Sequence, residues 1–208
     1  MKKQLLAGLA TLGMLLPASA AVYSYTGLAY AIPDANPNGI FSTISVSGAS
    51  VSLTDVNVTL NVSGGYNGDL YGYLSYNGTL VTLLNRVGTG GGDTFGYSAA
   101  GFSNVTLDDG SGNGNIHNVP NPLASTLYTP DIGGGNSLAS FNGANPNGTW
   151  TLFFADLSGG DVSTLQGWSL DITAVPEPVN VALGVFGVVL AGSVLCRGFL
   201  RTQKQTTL

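Results

Sequence analysis

From Asp55 to Ser63 the chain alternates strictly: Val56, Val58, Leu60 and Val62 are apolar, and Asn57, Thr59 and Asn61 between them are polar. A period of two puts one set of side chains on one face of a strand and the other set on the opposite face. No helix does that. Val51 and Leu53 lie on the other parity, so a bulge near Thr54-Asp55 has to shift the register. The pattern returns in Trp150, Leu152 and Phe154, and again in Trp168, Leu170 and Ile172. Each of these strands offers one Trp and two further apolar groups on one face, and such faces bury each other in facing layers. Residues 70–76 and 80–84 flank Tyr76-Asn77-Gly78-Thr79, where Asn-Gly marks a hairpin. Glycine-rich stretches at 88–93, 109–115 and 133–136 read as loops, and no convincing amphipathic helix interrupts residues 21–174. The expectation is one all-β sandwich with a substantial core.

The two ends follow different rules. Lys2 and Lys3 precede the apolar stretch 5–16, and Ala18-Ser19-Ala20 then forms a small-x-small cleavage site. This order predicts a signal peptide over 1–20, with Ala21 as the mature start. No cysteine follows the site, which excludes a lipoprotein. At the other end stand Val175, Pro176, Glu177 and Pro178, an apolar run over 179–195, and then Arg197, Arg201 and Lys204. At helical rise such a run spans roughly 25 Å against a hydrocarbon core of about 30 Å. A transmembrane helix over about 179–196 is expected, extended at its end if Arg197 reaches toward the headgroups, with the three basic residues as a cytoplasmic stop.

Charge narrows the partners. Every acid lies between residues 21 and 178, where Arg86 is the sole basic residue, so the exported part carries a formal −10 against −5 for the whole chain. Nucleic acid is excluded, because binding it requires Lys and Arg to displace counterions. The acids are nearly all Asp, which serves either as a turn former or as a ligand for a hard cation. Cys196 is the single cysteine, so the exported region holds no disulfide.

Catalytic chemistry finds little to stand on. His117 is the only histidine, in the loop Asn115-Ile116-His117-Asn118, and is expected to be a solvated loop residue. There is no Gly-x-Ser-x-Gly elbow, and a zinc site lacks ligands. Tyr66, Tyr71, Tyr73 and Tyr76 are an aromatic group that either stacks on a sugar or covers one sheet face. No catalytic residue is assigned.

Two resemblances bear on these readings. The C-terminal order over 175–204, Pro176-Glu177-Pro178, apolar helix and basic end, resembles a PEP-CTERM sorting signal, although its basic end is more dilute than usual. The region 21–174 resembles the P domain (P/Homo B) found beside subtilisin-like proprotein convertases. The matching segments are Ile32-Pro33-Asp34, Asp55-Val56-Asn57-Val58, Gly68-Asp69-Leu70, Asn77-Gly78-Thr79, Thr106-Leu107-Asp108-Asp109, Tyr128-Thr129-Pro130, Asn147-Gly148-Thr149-Trp150-Thr151-Leu152, Asp156 and Gly167-Trp168-Ser169-Leu170. Departures are Ser63, where the family commonly has His, and Tyr76-Asn77, where it commonly has Pro-Ser.

The first resemblance implies processing by signal peptidase and a membrane-embedded bacterial exosortase. The second implies a jelly-roll sandwich of the galactose-binding-like kind. Protease activity is not expected, since no neighbouring catalytic domain accompanies it. Asp34, Asp69, Asp108, Asp109 and Asp156 fall at the family's motif positions near strand ends, and calcium is the one cofactor they suggest. The expected function is a non-enzymatic component of the cell surface or extracellular matrix, in contact with exopolysaccharide or surface proteins. The alternatives are a carbohydrate-binding or adhesive module, or a hydrolase with an Asp-based site.

Overall fold

The computed structural model describes residues 18–90, 92–119, 123, 125–133, 135–176 and 182–194. The chain divides into two units, and Ala18–Val175 forms the larger. It contains nine strands in two sheets. The first sheet runs β1 (Ser19–Ile32), β9 (Ser163–Val175), β3 (Ser52–Gly64), β6 (Phe102–Leu107) and β7 (Leu127–Tyr128). The second runs β2 (Asn36–Val46), β8 (Gly148–Asp156), β4 (Leu70–Tyr76) and β5 (Thr79–Asn85). All neighbours are antiparallel except β6 and β7.

The alternating residues behave as their period demands. Val56, Val58, Leu60 and Val62 are buried, and so is Leu53 on the other parity. The register of β3 against β9 slips between Leu53 and Asp55, which lets both sets face inward. The two tryptophan strands lie in different sheets and face one another across a single apolar core containing Trp150, Leu152, Phe154, Trp168, Leu170 and Ile172. Trp150 donates its indole N–H to the Pro146 carbonyl at 2.9 Å, so neither buried indole is left without a partner. The Asn77-Gly78 turn closes β4 onto β5 with φ of 48° and 81°, the pair of positive values that a two-residue hairpin of the primed type requires.

The terminal expectations meet the structure only partly. Residues 1–17 lie outside the described residues, as do Glu177, Pro178, Arg197, Arg201 and Lys204. Ala20 and Ala21 pair with Thr173 and Ile172 inside β1, so cleavage between them would trim two residues from the start of an edge strand. Val175 ends β9 opposite Ser52. Residues 182–194 form a helix, and its side chains are exposed. Among the described residues no helix is long and apolar enough to cross a membrane. The rest of the expected 179–196 span lies outside them.

Candidate functional site

The outer face of the β2-β8-β4-β5 sheet carries a row of aromatic rings. Phe153 pairs directly with Phe41 of β2 on one side and with Tyr73 of β4 on the other. Ring centroids are 4.9 Å apart for Phe41–Phe153 and 4.7 Å for the stacked Tyr73–Phe153 pair. Tyr71 meets both Tyr73 and Phe153 edge-on, at 6.2 and 6.4 Å. Phe153 is covered by its neighbours and is only 6% exposed, whereas Phe41 is 59% exposed. Cross-strand aromatic pairs of this kind stiffen a sheet.

Neutral hydrogen-bonding groups border the rings. The next register row along the same face is Thr43, Thr151 and Ser75, with the exposed Leu80 at its end. Thr82 pairs with Tyr73, and Asn85 pairs with Tyr71. None of these residues is charged, although the protein around them is acidic.

The tyrosine group read from the sequence therefore divides. Tyr71 and Tyr73 share the outer face because they are two residues apart on β4. Tyr76 is on the other parity and enters the core, stacked on Trp150 at 4.0 Å with its O–H directed at the Asn145 and Asn147 carbonyls. Tyr66 precedes the strand and donates to the Gly96 carbonyl at 3.2 Å. Phe41 and Phe153 come from distant segments and were not singled out by sequence reading. The readable signal was Phe153 itself, an outward aromatic that interrupts the inward row of Trp150, Leu152 and Phe154.

His117 is a correction. It is half-buried rather than solvated: Nδ1 lies 2.6 Å from Asp131 Oδ2, and Nε2 lies 2.7 Å from the Thr89 carbonyl. Both ring nitrogens face acceptors, which only the doubly protonated imidazolium satisfies. Burial pulls the imidazole pKa down, but the Thr89 carbonyl and the Asp131 carboxylate outweigh it and the net shift is upward. Asp131 Oδ2 also accepts the Asn85 N–H at 3.1 Å, and the Asp131 N–H donates to Leu83. The pair thus fastens a loop to the edge strand β5.

The aspartates separate into two groups at opposite ends of the sandwich. Asp34, Asp69 and Asp156 lie together, joined by Asp161, which sequence reading missed. Burial pushes the Asp156 carboxyl pKa up, the Ser158 N–H pulls it partly back, and Asp69, Asp34 and Asp161 each raise it again. Asp108 and Asp109 follow β6 beside the opposite end of β3. Burial pushes the Asp55 carboxyl pKa up, and the Asp108 carboxylate raises it further. Asp108 accepts the Gly110 N–H at 2.7 Å, while Asp109 accepts the Ala139 N–H at 2.7 Å. Among the described residues no three Asp, Glu, His or Cys side chains stand at metal-coordinating spacing.

The fold defines an all-β protein of two packed sheets. No protein-family model and no curated protein matches the chain. Among solved structures it is similar to a serine protease of Aeromonas sobria, solved alone and in complex with its chaperone, at 18% identity and a TM-score of 0.48. The similarity covers 77–78% of this chain but only 28% of the protease, and a likeness this loose says nothing about activity.

Proposed function

We propose that the protein is an exported, non-enzymatic component of the bacterial cell surface or extracellular matrix that binds an uncharged polysaccharide. The observation that carries this reading is the outer-face row Phe41–Phe153–Tyr73, in which Phe41 is exposed and Tyr73 half-buried, bordered by Thr43, Thr151 and Ser75. Aromatic faces stack on the C–H faces of sugar rings, and adjacent hydroxyls exchange hydrogen bonds with sugar hydroxyls. An anionic polymer would meet a formal −10 on the exported region, whereas a neutral one meets no such barrier. In this reading the sandwich is a jelly roll of the galactose-binding-like kind, and the tail is a PEP-CTERM-like sorting signal processed by an exosortase.

Affinity electrophoresis through gels cast with neutral polysaccharides tests the binding step. Retardation by at least one of them is expected, and Tyr73→Ala together with Phe41→Ala should abolish it. Equal mobility in every gel, or retardation that survives both substitutions, overturns the reading. Intact mass of the mature protein tests the sorting step: a chain beginning at Ala21 and ending near Pro178 is expected, and one ending at Leu208 argues for a plain anchor.

A further inference from the structure

Asp156 ends β8 in register with Asn36 of β2 on one side and Leu70 of β4 on the other. The segments leading into those two flanking strands carry Asp34 and Asp69, and the β8–β9 turn carries Asp161. Three strands therefore deliver four carboxylates to one end of the sandwich. Asp156 is 0% exposed, and Asp69 is nearly so at 8%. Asp156 Oδ1 accepts one N–H, from Ser158 at 3.2 Å, and its Oδ2, fully enclosed, has no hydrogen-bond partner. A buried carboxylate oxygen without a donor is among the most unfavourable groups a fold can hold.

Other buried oxygens at this end of the sandwich also lack partners. Of the four buried side-chain oxygens without partners among the described residues, three belong to this end: Asp156 Oδ2, Asn67 Oδ1 and Ser163 Oγ. Asn67 begins the short 3-10 turn that ends at Asp69, and Ser163 opens β9 directly after the turn holding Asp161. The one nearby cation does not answer them. Arg86 directs its guanidinium to the Gly68 carbonyl at 3.3 Å, the Thr94 carbonyl at 3.4 Å and Ser158 Oγ at 3.3 Å. Among the described residues it makes no ion pair with any aspartate.

We propose that Asp34, Asp69, Asp156 and Asp161 bind a single hard divalent cation of the calcium class, anchored by the buried Asp156 carboxylate. The donors on hand are all oxygen, which disfavours zinc. They come from turns and strand ends, which suit the variable 6–8-oxygen shell of calcium better than the strict octahedron of magnesium. The carboxylates are not gathered at coordinating spacing, so binding has to draw them together. The turn between Asp156 and Asp161 contains Gly159-Gly160, and Gly160 already donates its N–H to both oxygens of Asp34, at 3.2 and 3.1 Å. That contact couples the turn to Asp34, so the two move as one. Asp108 and Asp109, at the other end, take no part.

Calorimetric titration of the EDTA-stripped full-length protein with calcium chloride tests this. One site per chain is expected, with a Kd of order 0.1–1 mM as in extracellular modules, and much weaker magnesium binding. Asp156→Asn should abolish calcium binding and the calcium-induced rise in melting temperature, while leaving the melting temperature in EDTA unchanged or higher. Asp108→Asn should bind calcium as the parent does. Should Asp156→Asn not fold, Asp34→Asn replaces it and is expected to weaken calcium binding at least tenfold. No heat and no thermal shift at about 10 mM calcium overturns the proposal, as does calcium binding unchanged in whichever of the two variants folds.

Discussion

Trp168 of one sheet donates its indole N–H to the hydroxyl of Ser42 in the other, 2.9 Å away across the buried core. Ser42 is the polar member of an inward row that continues with Ile44 and Val46, and both partners are enclosed. The bond pins the position of β9 relative to β2 and satisfies a donor that water cannot reach. Ser42→Ala leaves the indole N–H unpaired and should destabilise the protein by about 1–3 kcal/mol in urea unfolding. Trp168→Phe in that background should show that the two changes do not add, since the orphaned donor is gone. Strict additivity would mean that the bond contributes nothing.

Parity on β4 separates two neighbouring tyrosines. Tyr76→Ala removes a ring stacked on Trp150 and should destabilise by about 3–5 kcal/mol, as large-to-small changes of core aromatics do. Tyr73→Ala lies on the outer face and should shift the unfolding midpoint far less while weakening polysaccharide retention. If Tyr73→Ala proves the more destabilising change, the assignment of faces is wrong.

The His117–Asp131 pair makes stability depend on pH. The folded-state pKa of His117 is raised, so its stabilisation is complete below the ordinary value of about 6.5 and is lost as pH rises through the folded value. Thermal melts should therefore show a fall in stability on going from mildly acidic to mildly alkaline pH. His117 is the only histidine, so His117→Gln should flatten that limb. Asp156, also raised by burial, would fall in the same direction, and Asp156→Asn distinguishes its contribution. A limb that survives both substitutions would refute this origin.

Two glycines with similar backbone angles should respond differently. Gly78 has φ +81° and nothing within 4 Å of an added Cβ, so Gly78→Ala incurs only the left-handed backbone penalty of about 1–2 kcal/mol. Gly65 has φ +70°, and an added Cβ would lie 1.8 Å from Ser163 Oγ. Gly65→Ala should therefore be clearly the worse of the two in chemical denaturation. Equal effects would show that Ser163 yields freely.

The all-β class, the Thr54 bulge, the Asn77-Gly78 hairpin and the opposition of the two tryptophan strands were legible in sequence, because each follows from side-chain alternation or turn chemistry within a few residues. Strand pairing was not. Nothing local to Phe41 says that it will lie beside Phe153, more than a hundred positions away, or that Tyr73 will flank the same ring. Likewise Asp156 and Asp34 reach the same end through the β2–β8 register, and Asp108, at an equally plausible motif position, goes to the other end. His117 read as a solvated loop residue because its partner Asp131 and the Thr89 carbonyl belong to separate loops. Local periodicity determines which face of a strand is buried; which strands become neighbours is decided by the packing of whole sheets, and that choice assembles the aromatic row and the acidic end.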